Sequence, residues 1–300
     1  MPKPFLKWAG GKRQLLKEIT ELISGIETRD LYYYEPFLGA GSVFFALDFK
    51  KAIVNDLNEE LINTYEVIRD NVDDLIGKLK LHEENHLAQD SDYYYKIRMM
   101  DRELDFYSKT SKIERAARTI YLNKTCYNGL YRVNSKGQFN TPIGRYKDPK
   151  IVDVENLKSV SHHLRTKNVS IKNETFQNSL KNVPENSLIY FDPPYDYENE
   201  NGFVAYHKEG FGEKELIELR NIAKKLILKG CYVVISNHYT SRVKKLFNDE
   251  VFAIKHKDEK ESFFLTKRVQ ANRMINSKSQ SRKTKVEEVL IYGSNLPTSR

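Results

Sequence analysis

Short apolar runs and longer helical repeats follow one another along the chain, and this pattern predicts an α/β fold. Apolar runs bounded by turn residues predict strands at 32–36, 52–56, 169–172, 187–191, 230–237, 252–254 and 289–292. Helical spacing predicts helices at 11–23, 43–48 and 216–228. The first segments form a β-loop-α-β unit, which is typical of the start of a doubly wound sheet. We expect the strands at 252–254 and 289–292 to close the sheet as antiparallel edge strands.

A helical and polar segment interrupts this pattern. Residues 57–121 have helical spacing and many charges, whereas residues 122–150 are rich in Asn, Gly, Tyr and basic side chains. In the second part, residues 131–133 and 138–140 flank a turn at 134–137, which predicts a β-hairpin. We therefore predict a sheet domain at 1–56 and 168–300, with an inserted helical and hairpin domain at 57–167.

Composition excludes several classes of protein. The chain has 300 residues, of which 40% are hydrophobic and 30% charged, and this balance fits a globular protein with a large core. It lacks a run of about 20 apolar residues, so we expect no membrane span. It also lacks the apolar segment of a secretion signal, so we expect a cytoplasmic protein. Cys126 and Cys231 lack metal-ligand spacing and predict two reduced thiols without a metal site.

Positive charge is concentrated in two places. The net charge is +8, residues 262–286 contain no acid, and Asp148 is the only acid in residues 121–150. Both segments also carry polar side chains that can contact phosphate groups. This distribution favours a polyanionic partner such as nucleic acid.

The segment Asp192-Pro193-Pro194-Tyr195 directly follows the apolar run at 187–191. A carboxylate and an outward proline carbonyl can accept both N–H groups of an exocyclic amine, and the tyrosine offers a stacking face. Two consecutive prolines fix the backbone and prevent a helix. The segment therefore predicts a grip on the amino group of a planar base, with an ordinary polar turn as the alternative.

A second candidate site follows the first strand. Gly39-Ala40-Gly41 lies between a strand and a helix, where glycines allow a ligand to approach the backbone. Asp56 ends the next strand and is placed to accept from ribose hydroxyls, although a helix N-cap is the alternative. Trp8 stands beside paired glycines and between two lysines, so it either lines an adenine or methionine pocket, with Lys12 meeting a carboxylate, or packs in the core.

Aromatic and basic residues meet in the segments 127–132 and 141–146. Their arrangement favours DNA contact, and Arg132 is able to bind guanine O6 and N7 with two hydrogen bonds. The alternative is a surface hairpin with ordinary tyrosines.

Six motifs occur in a familiar order. They are KWAGGK near the N-terminus, EPFLGAGS at 35–42, NDLN at 55–58, YNGLYR at 127–132, FNTPIGRYKDP at 139–149 and DPPY at 192–195. Through them the chain resembles the Dam-type DNA adenine-N6 methyltransferases (D12 class, alpha group), especially the GATC-specific ones, from Phe5 to about Tyr292. The resemblance implies a Rossmann-like methyltransferase sheet and an inserted DNA-recognition domain.

The resemblance also implies residue roles. The implied S-adenosylmethionine contacts are Trp8, Lys12, Phe37, Gly39, Ala40, Gly41, Asp56 and Asp192. Asp192, Pro193 and Tyr195 match the catalytic grip on a flipped adenine. The implied DNA contacts are Lys7 on the first guanine, Arg132 on the guanine opposite the final cytosine, Leu130 and Pro142 on the thymine methyl, Tyr127, Asn128 and Tyr146 near the flipped base, and Arg145 on phosphate.

The implied reaction is direct, in-line methyl transfer from S-adenosylmethionine to adenine N6 in GATC of double-stranded DNA, without a metal and by base flipping. S-adenosylhomocysteine is the expected product, and a monomer is the expected active form. Such enzymes include both modification methylases, whose functional partner is a restriction endonuclease, and orphan methylases without one, and both alternatives stay open. The basic hairpin loop at about 267–285 is expected to clasp the DNA backbone. The acidic segment at 196–201 has no assigned role, and it precedes 205–207, which resembles a family segment near the target base.

Other functions stay open from the residues alone. A cytosine-N4 methyltransferase shares the scaffold, but it usually has Ser at the position of Asp192. An RNA or protein-amide methyltransferase fits the catalytic motif but does not explain the segment 127–132. A DNA-binding regulator without catalysis conflicts with the intact motifs, and a dehydrogenase conflicts with Phe44 at the position of the third glycine.

Overall fold

A mixed sheet of seven strands confirms the predicted α/β fold. The computed structural model describes residues 1–8, 12, 15–26, 30–196, 211–248, 253–256, 259–262, 264–272 and 285–294. No helix in this described part of the chain is both long and apolar enough to cross a bilayer. The chain divides into a first unit, with Met1–Lys12, Gly39–Asp48 and Asp56–Asn173, and a second unit, with Arg13–Leu38, Phe49–Asn55 and Glu174–Arg300.

The strands agree closely with the apolar runs of the sequence. They are β1 (Tyr32–Glu35), β2 (Lys51–Asn55), β3 (Asn168–Lys172), β4 (Ser187–Phe191), β5 (Tyr232–His238), β6 (Ala253–His256), β7 (Glu259–Ser262), β8 (Leu265–Asn272) and β9 (Lys285–Gly293). The order in the seven-stranded sheet is β3-β2-β1-β4-β5-β9-β8, and β6 pairs with β7 separately.

The order of the strands creates a switch point beside β1. Strand β1 pairs in parallel with both β2 and β4, and β4 pairs in parallel with β5. Strand β9 then runs antiparallel between β5 and β8. In doubly wound sheets, ligands bind outside the carboxyl ends of the strands at the point where the strand order reverses. The ends of β1 and β4 are therefore the expected ligand edge of this sheet.

The second unit has an apolar core on one face of the sheet. Alternate residues of β4, β5 and β9 share this face because side chains alternate along a strand. Ile189 is paired with Val233, and Phe191 with Ile235, and all four belong to one buried cluster. The helix at Glu213–Leu228 packs its Leu219 into the same cluster.

Helices make up most of the first unit. The helices of the chain are α1 (Leu16–Ile23), α2 (Ser42–Leu47), α3 (Glu59–Asp70), α4 (Val72–Met99), α5 (Phe106–Lys109), α6 (Lys112–Thr125), α7 (Val154–Thr166), α8 (Phe176–Ser179), α9 (Glu213–Leu228) and α10 (Ser241–Asn248). Side-chain oxygens of Asn58, Ser111 and Asp153 accept from backbone N–H groups in the first turns of α3, α6 and α7, so each of these starts is capped.

Two expectations from the sequence are wrong. The predicted strands at 131–133 and 138–140 are not regular strands, since only the isolated bridge between Val133 and Phe139 joins them. The segment near 252–254 contributes β6, which pairs with β7 rather than with the main sheet. The predicted basic hairpin at 267–285, in contrast, agrees with the structure, because the segment begins in β8 and ends in β9 and these strands pair antiparallel. Its residues 273–284 lie outside the described part of the chain.

Candidate active site and DNA-contacting surface

Asp192 lies at the carboxyl end of β4. Every residue of β4 is buried, and Phe191 pairs with Ile235 of β5. The next residues along the two strands are Asp192 and Ser236, and the Ser236 hydroxyl donates to Asp192 Oδ1 over 2.8 Å. The catalytic candidate thus begins on a rigid strand rather than on a loop. Pro193 follows as a buried residue.

Tyr195 is held by groups from the neighbouring strands. Its hydroxyl donates to Glu288 Oε2 over 3.2 Å, and its ring meets that of His238 edge-on, with centroids 4.6 Å apart. Burial raises the pKa of Tyr195 well above its ordinary value, and the charge of Asp192 adds to this rise. The phenol therefore stays neutral, which suits a stacking surface.

Asp196 anchors the chain directly after the motif, a role that the sequence did not suggest. Its backbone N–H donates to Asn237 Oδ1 over 3.0 Å. Its carboxylate accepts from Thr240 Oγ1 over 2.6 Å and forms an ion pair with Arg242 at 3.1 Å. The start of the 196–201 segment is thus tied to the turn between β5 and α10. Residues 197–201 and 205–207 lie outside the described chain.

The glycine loop is shaped by backbone conformations that favour glycine. Gly39 and Gly41 have φ values of +50° and +69°. A Cβ atom on Gly39 would lie 2.9 Å from Cδ1 of Trp8, so the tryptophan ring packs against the loop backbone. Asp56 accepts from the N–H of Gly39 and from that of Asn58, both over 2.9 Å. This carboxylate therefore organises both the loop and the start of α3.

The remaining predicted cofactor residues are placed as follows. Phe37, in the second unit, packs against the rings of Phe176 and Phe211 with centroids 5.3 and 5.7 Å away. Ala40 and Lys12, in the first unit, are buried. The paired glycines beside Lys12 lie outside the described residues.

Lys7 is joined to the YNGLYR segment by a single asparagine. Asn123 accepts from the Lys7 backbone N–H over 2.8 Å and donates to the carbonyls of Lys7 and Gly129 over 2.7 and 3.0 Å. Gly129 has a φ of +65°, and a Cβ there would lie 2.6 Å from Lys7 Cβ. The Lys7 ammonium donates to the Tyr146 hydroxyl over 3.3 Å and lies 4.4 Å from its ring centroid.

The other predicted DNA contacts lie on the same segments of the first unit. The Tyr127 N–H donates to the Pro142 carbonyl over 2.8 Å, and Thr141 Oγ1 donates to the Leu130 carbonyl over 2.7 Å. These bonds hold the two segments together. Exposed side chains are those of Lys7, Arg132, Pro142, Arg145 and Tyr146, and half-buried ones are those of Tyr127, Asn128 and Leu130. The Arg132 Nε donates to Asn140 Oδ1 over 2.8 Å, which orients the guanidinium.

Comparison with known proteins decides the class of enzyme. The family model described as D12 class N6 adenine-specific DNA methyltransferase matches residues 8–263. The chain belongs to this family. It is 38% identical to the Type II methyltransferase M1.LlaDCHI of Lactococcus lactis subsp. cremoris, with 97% of this chain and 96% of that protein covered.

Two further relatives support the same assignment. The Type II methyltransferase M.MjaIII of Methanocaldococcus jannaschii is 41% identical, over 96% of this chain and 98% of its own length. The DNA adenine methylase of Escherichia coli (strain K12) is 32% identical, over 96% and 94%. The enzyme is therefore an S-adenosylmethionine-dependent, adenine-specific DNA methyltransferase, and the predicted family, reaction class and cofactor are confirmed.

The first unit contains groups that fit this cofactor. Trp8 offers an aromatic face beside the backbone of Gly39, where a side chain on the glycine would collide with the ring. Asp56 supplies a carboxylate at the end of β2, where ribose hydroxyls are bound in related folds. Among the described residues, no group of three or more His, Cys, Asp or Glu side chains gathers as a metal site.

Tyr131 is a residue of this region whose role the sequence did not reveal. Its ring stacks on Trp8 with centroids 5.0 Å apart and planes 27° apart. Burial raises the pKa of Tyr131 to about 12, and the charge of Glu60 acts in the same direction. A stacked aromatic pair cannot be read from the sequence, because 123 positions separate its two members.

Proposed function

We propose that this methyltransferase modifies N6 of adenine in GATC sites of double-stranded DNA, after rotating the adenine out of the helix. The observation that carries the proposal is the placement of Asp192 at the carboxyl end of the buried strand β4, with Ser236 donating to its carboxylate. A rigidly held acceptor at this edge suits the capture of an amino group. The adenine must leave the base stack because its N6 is otherwise inaccessible to a protein pocket.

The residues of the DPPY segment act by position and charge. The lone pair of adenine N6 is delocalised into the ring, which makes the amine a poor nucleophile. Hydrogen bonds from N6 to the Asp192 carboxylate and to the Pro193 carbonyl favour tetrahedral geometry and localise the lone pair. Catalysis of this type depends on orientation and preorganised electrostatics. The held ring of Tyr195 supplies the face on which the adenine stacks.

The first unit supplies the proposed cofactor contacts at Trp8, Lys12, the glycine loop and Asp56. The other two residues of the predicted set, Phe37 and Asp192, belong to the second unit. When bound, S-adenosylmethionine supplies the methyl group from its sulfonium. Gly39 and Gly41 have left-handed conformations and no side chains, so a ligand is able to approach the backbone of the loop.

Neither cysteine fits a role as a covalent nucleophile. Both are buried, and burial raises the pKa of Cys126 to about 12 and also raises that of Cys231. A thiol in this state carries almost no thiolate, which is the reactive form. Direct transfer to the amine is therefore the favoured path.

The exposed segments 127–132 and 141–146 are the proposed readers of GATC. Arg132 suits a guanine, because a guanidinium forms two hydrogen bonds with O6 and N7. Lys7 is proposed for the first guanine, and Leu130 and Pro142 for the thymine methyl. Lys124 follows Asn123, whose side chain accepts from the Lys7 backbone N–H over 2.8 Å, so the chain brings two lysines to neighbouring segments. Two close cations favour contact with the polyanionic backbone.

The gap left by the flipped base is proposed to be filled by Tyr127, Asn128 and Tyr146. Arg145 is proposed to contact phosphate. Residues 57–167 would then form the recognition domain, and 1–56 with 168–300 the catalytic domain. The similarity to Type II methyltransferases favours a modification enzyme whose functional partner is a restriction endonuclease. We propose that the active form is a monomer and that it acts in the cytoplasm.

Methyl transfer to two matched duplexes tests the proposal. One duplex contains GATC and the other contains GTAC at the same place, so both have the same composition. Labelled N6-methyladenine in the first duplex alone is the expected result. Equal labelling of both would contradict the site assignments of Arg132, Leu130 and Pro142. Labelling of neither, with cofactor still bound, would contradict GATC as the target.

A further inference from the structure

Ser236 and Tyr190 form a buried hydrogen-bond chain that ends on Asp192. The Ser236 hydroxyl lies 2.8 Å from Asp192 Oδ1 and 3.0 Å from the Tyr190 hydroxyl. Ser236 has 0% and Tyr190 has 1% of its surface exposed. Buried polar groups are costly unless they are bonded, so this pair of hydroxyls needs an explanation.

The direction of the chain follows from the chemistry of its groups. An ionised carboxylate only accepts hydrogen bonds, and a hydroxyl has one proton to donate. Ser236 also contacts the Phe191 carbonyl at 3.4 Å and lies beside the Tyr195 hydroxyl, but the carboxylate is the stronger acceptor. Ser236 therefore donates to Asp192 and accepts from Tyr190. Burial and the charge of Asp192 raise the pKa of Tyr190 well above its ordinary value, so the phenol keeps the proton that it donates.

We propose that Ser236 and Tyr190 are positioning residues for methyl transfer, which hold the Asp192 carboxylate in its ionised, accepting form and in one orientation. Both act through Asp192 and neither touches the reacting atoms. The inference rests on the proposed role of Asp192 and extends it to β5. Adjacent strands in fixed register are more rigid than a loop, so a carboxylate bonded across them keeps its orientation when the adenine arrives.

The test is the pH dependence and rate of methyl transfer in Ser236→Ala, Ser236→Thr and Tyr190→Phe. We expect Ser236→Ala to lower kcat by about 10-fold to 100-fold, because a hydrogen bond to a charged group is lost. KM for DNA and cofactor affinity should change by less than about threefold. The acidic limb of kcat against pH should move to higher pH, since the charged carboxylate has lost a donor. Ser236→Thr keeps a hydroxyl and should restore most of the rate.

Tyr190→Phe keeps the ring and removes only the hydroxyl. We expect a smaller loss in kcat, about threefold to tenfold, with a smaller shift of the acidic limb in the same direction. Ser187 provides the matched control. It is an equally buried serine at the other end of β4, and its hydroxyl donates to the Pro184 carbonyl over 2.8 Å. Ser187→Ala should leave both kcat and its pH profile unchanged.

Other ionisable groups surround the carboxylate and are common to all variants. Tyr33, Glu35, Tyr195 and Glu288 interact electrostatically with Asp192 or its neighbours, and His238 packs on Tyr195. Because they are unchanged, a shift of the acidic limb that appears in Ser236→Ala but not in Ser236→Thr reports the serine bond. A purely structural role would lower thermal stability without moving this limb.

The outcomes separate the inference from the proposed function. Asp192→Ala should abolish methylation. Full activity in Asp192→Ala would overturn the proposed mechanism itself. An inactive Asp192→Ala together with a wild-type rate and pH profile in Ser236→Ala would overturn only the positioning roles. If Ser236→Ala does not fold, a wild-type pH profile in Tyr190→Phe would overturn the hydrogen-bond chain, and a shifted one would support it.

Discussion

Replacing Gly39 by alanine tests whether the glycine loop and Trp8 together form the cofactor site. The residue has a φ of +50°, a region that costs an L-residue with a side chain about 1–2 kcal/mol. The new methyl group would lie 2.9 Å from Trp8 Cδ1 and 3.4 Å from Trp8 Nε1. The tryptophan ring also stacks on Tyr131, which limits its retreat.

Gly137 offers a matched control for the backbone cost alone. It has a φ of +75°, and a Cβ there would meet no atom within 4 Å. Gly137→Ala should therefore destabilise the protein by about 1–2 kcal/mol. Gly39→Ala carries the same cost and, in addition, about 1–3 kcal/mol for overpacking against Trp8. If the ring moves aside instead, part of this strain becomes a loss of cofactor affinity.

The assay measures two quantities for each variant. Titration calorimetry with S-adenosylhomocysteine gives the affinity, and denaturant unfolding gives the stability. We expect Gly39→Ala to weaken binding by at least about tenfold, which corresponds to about 1.4 kcal/mol. Gly137→Ala should bind with unchanged affinity. Equal stability losses in the two variants, together with wild-type affinity in Gly39→Ala, would refute the reasoning about Trp8.

Three further predictions concern recognition, pH dependence and thiol reactivity. Arg132→Ala should reduce discrimination between GATC and a site changed at the base pair of Arg132 by about 1–3 kcal/mol in kcat/KM. His82 has a pKa lowered to about 4, mainly by burial, from an ordinary 6.5. The histidine therefore takes up a proton more readily in the unfolded chain than in the folded protein. For this reason the free energy of unfolding should fall by about 2 kcal/mol as the pH is lowered from about 7.5 to 5. Alkylating reagents should react slowly with Cys126 and Cys231 in the native enzyme and leave methyl transfer intact.

Each of these predictions has its own control. Arg145→Ala removes an exposed arginine and should weaken binding to all duplexes alike, so an equal sequence preference in both arginine variants would contradict the role of Arg132. His82→Phe should flatten the dependence of the unfolding free energy on pH. An unchanged slope of this dependence would show that other groups cause it. Rapid loss of activity on alkylation of folded enzyme would show that a thiol takes part or that the core opens readily.

Local patterns were sufficient for the elements that carry the site. Strand β4 was predicted because apolar residues at 187–191 are followed by two prolines, and Asp56 was placed correctly at the end of β2. Both signals lie within a few residues of the feature that they predict. The strand near 252–254 was also found, but its partner was not, because residue preferences identify a strand without specifying its neighbour.

The hairpin at 131–140 shows how side chains compete with regular structure. Asn134 Oδ1 accepts from the N–H groups of Lys136 and Gln138 over 2.9 and 3.0 Å. These bonds replace part of the backbone ladder that a hairpin would form, as short polar side chains often do. The chain still turns back, with the Asn140 N–H donating to the Arg132 carbonyl. The turn was thus predicted correctly and the strands were not.

The basic hairpin at 267–285 was predicted to contact DNA, but the sequence did not reveal the partners of its first lysine. Lys267 lies in β8 and forms ion pairs with Glu18 and Glu21 of α1. Exposed lysines are common on the outer strands of sheets, where they discourage pairing with other chains. Part of this positive charge is therefore used within the second unit rather than presented to DNA.

The polar residues of β5 could have been suspected to have a function, because they continue an apolar, strand-forming run in the sequence. Strand β5 begins with the apolar residues 232–235 and continues as Ser236-Asn237-His238, although all three polar residues are buried. Polar residues on a buried strand lower stability unless they are bonded, so their presence indicates a function. Their partners become known only from the register, which places Ser236 beside Asp192 and Asn237 at the backbone of Asp196. Strand β5 therefore contributes as much to the geometry of the Asp192 carboxylate as the DPPY motif at 192–195 does.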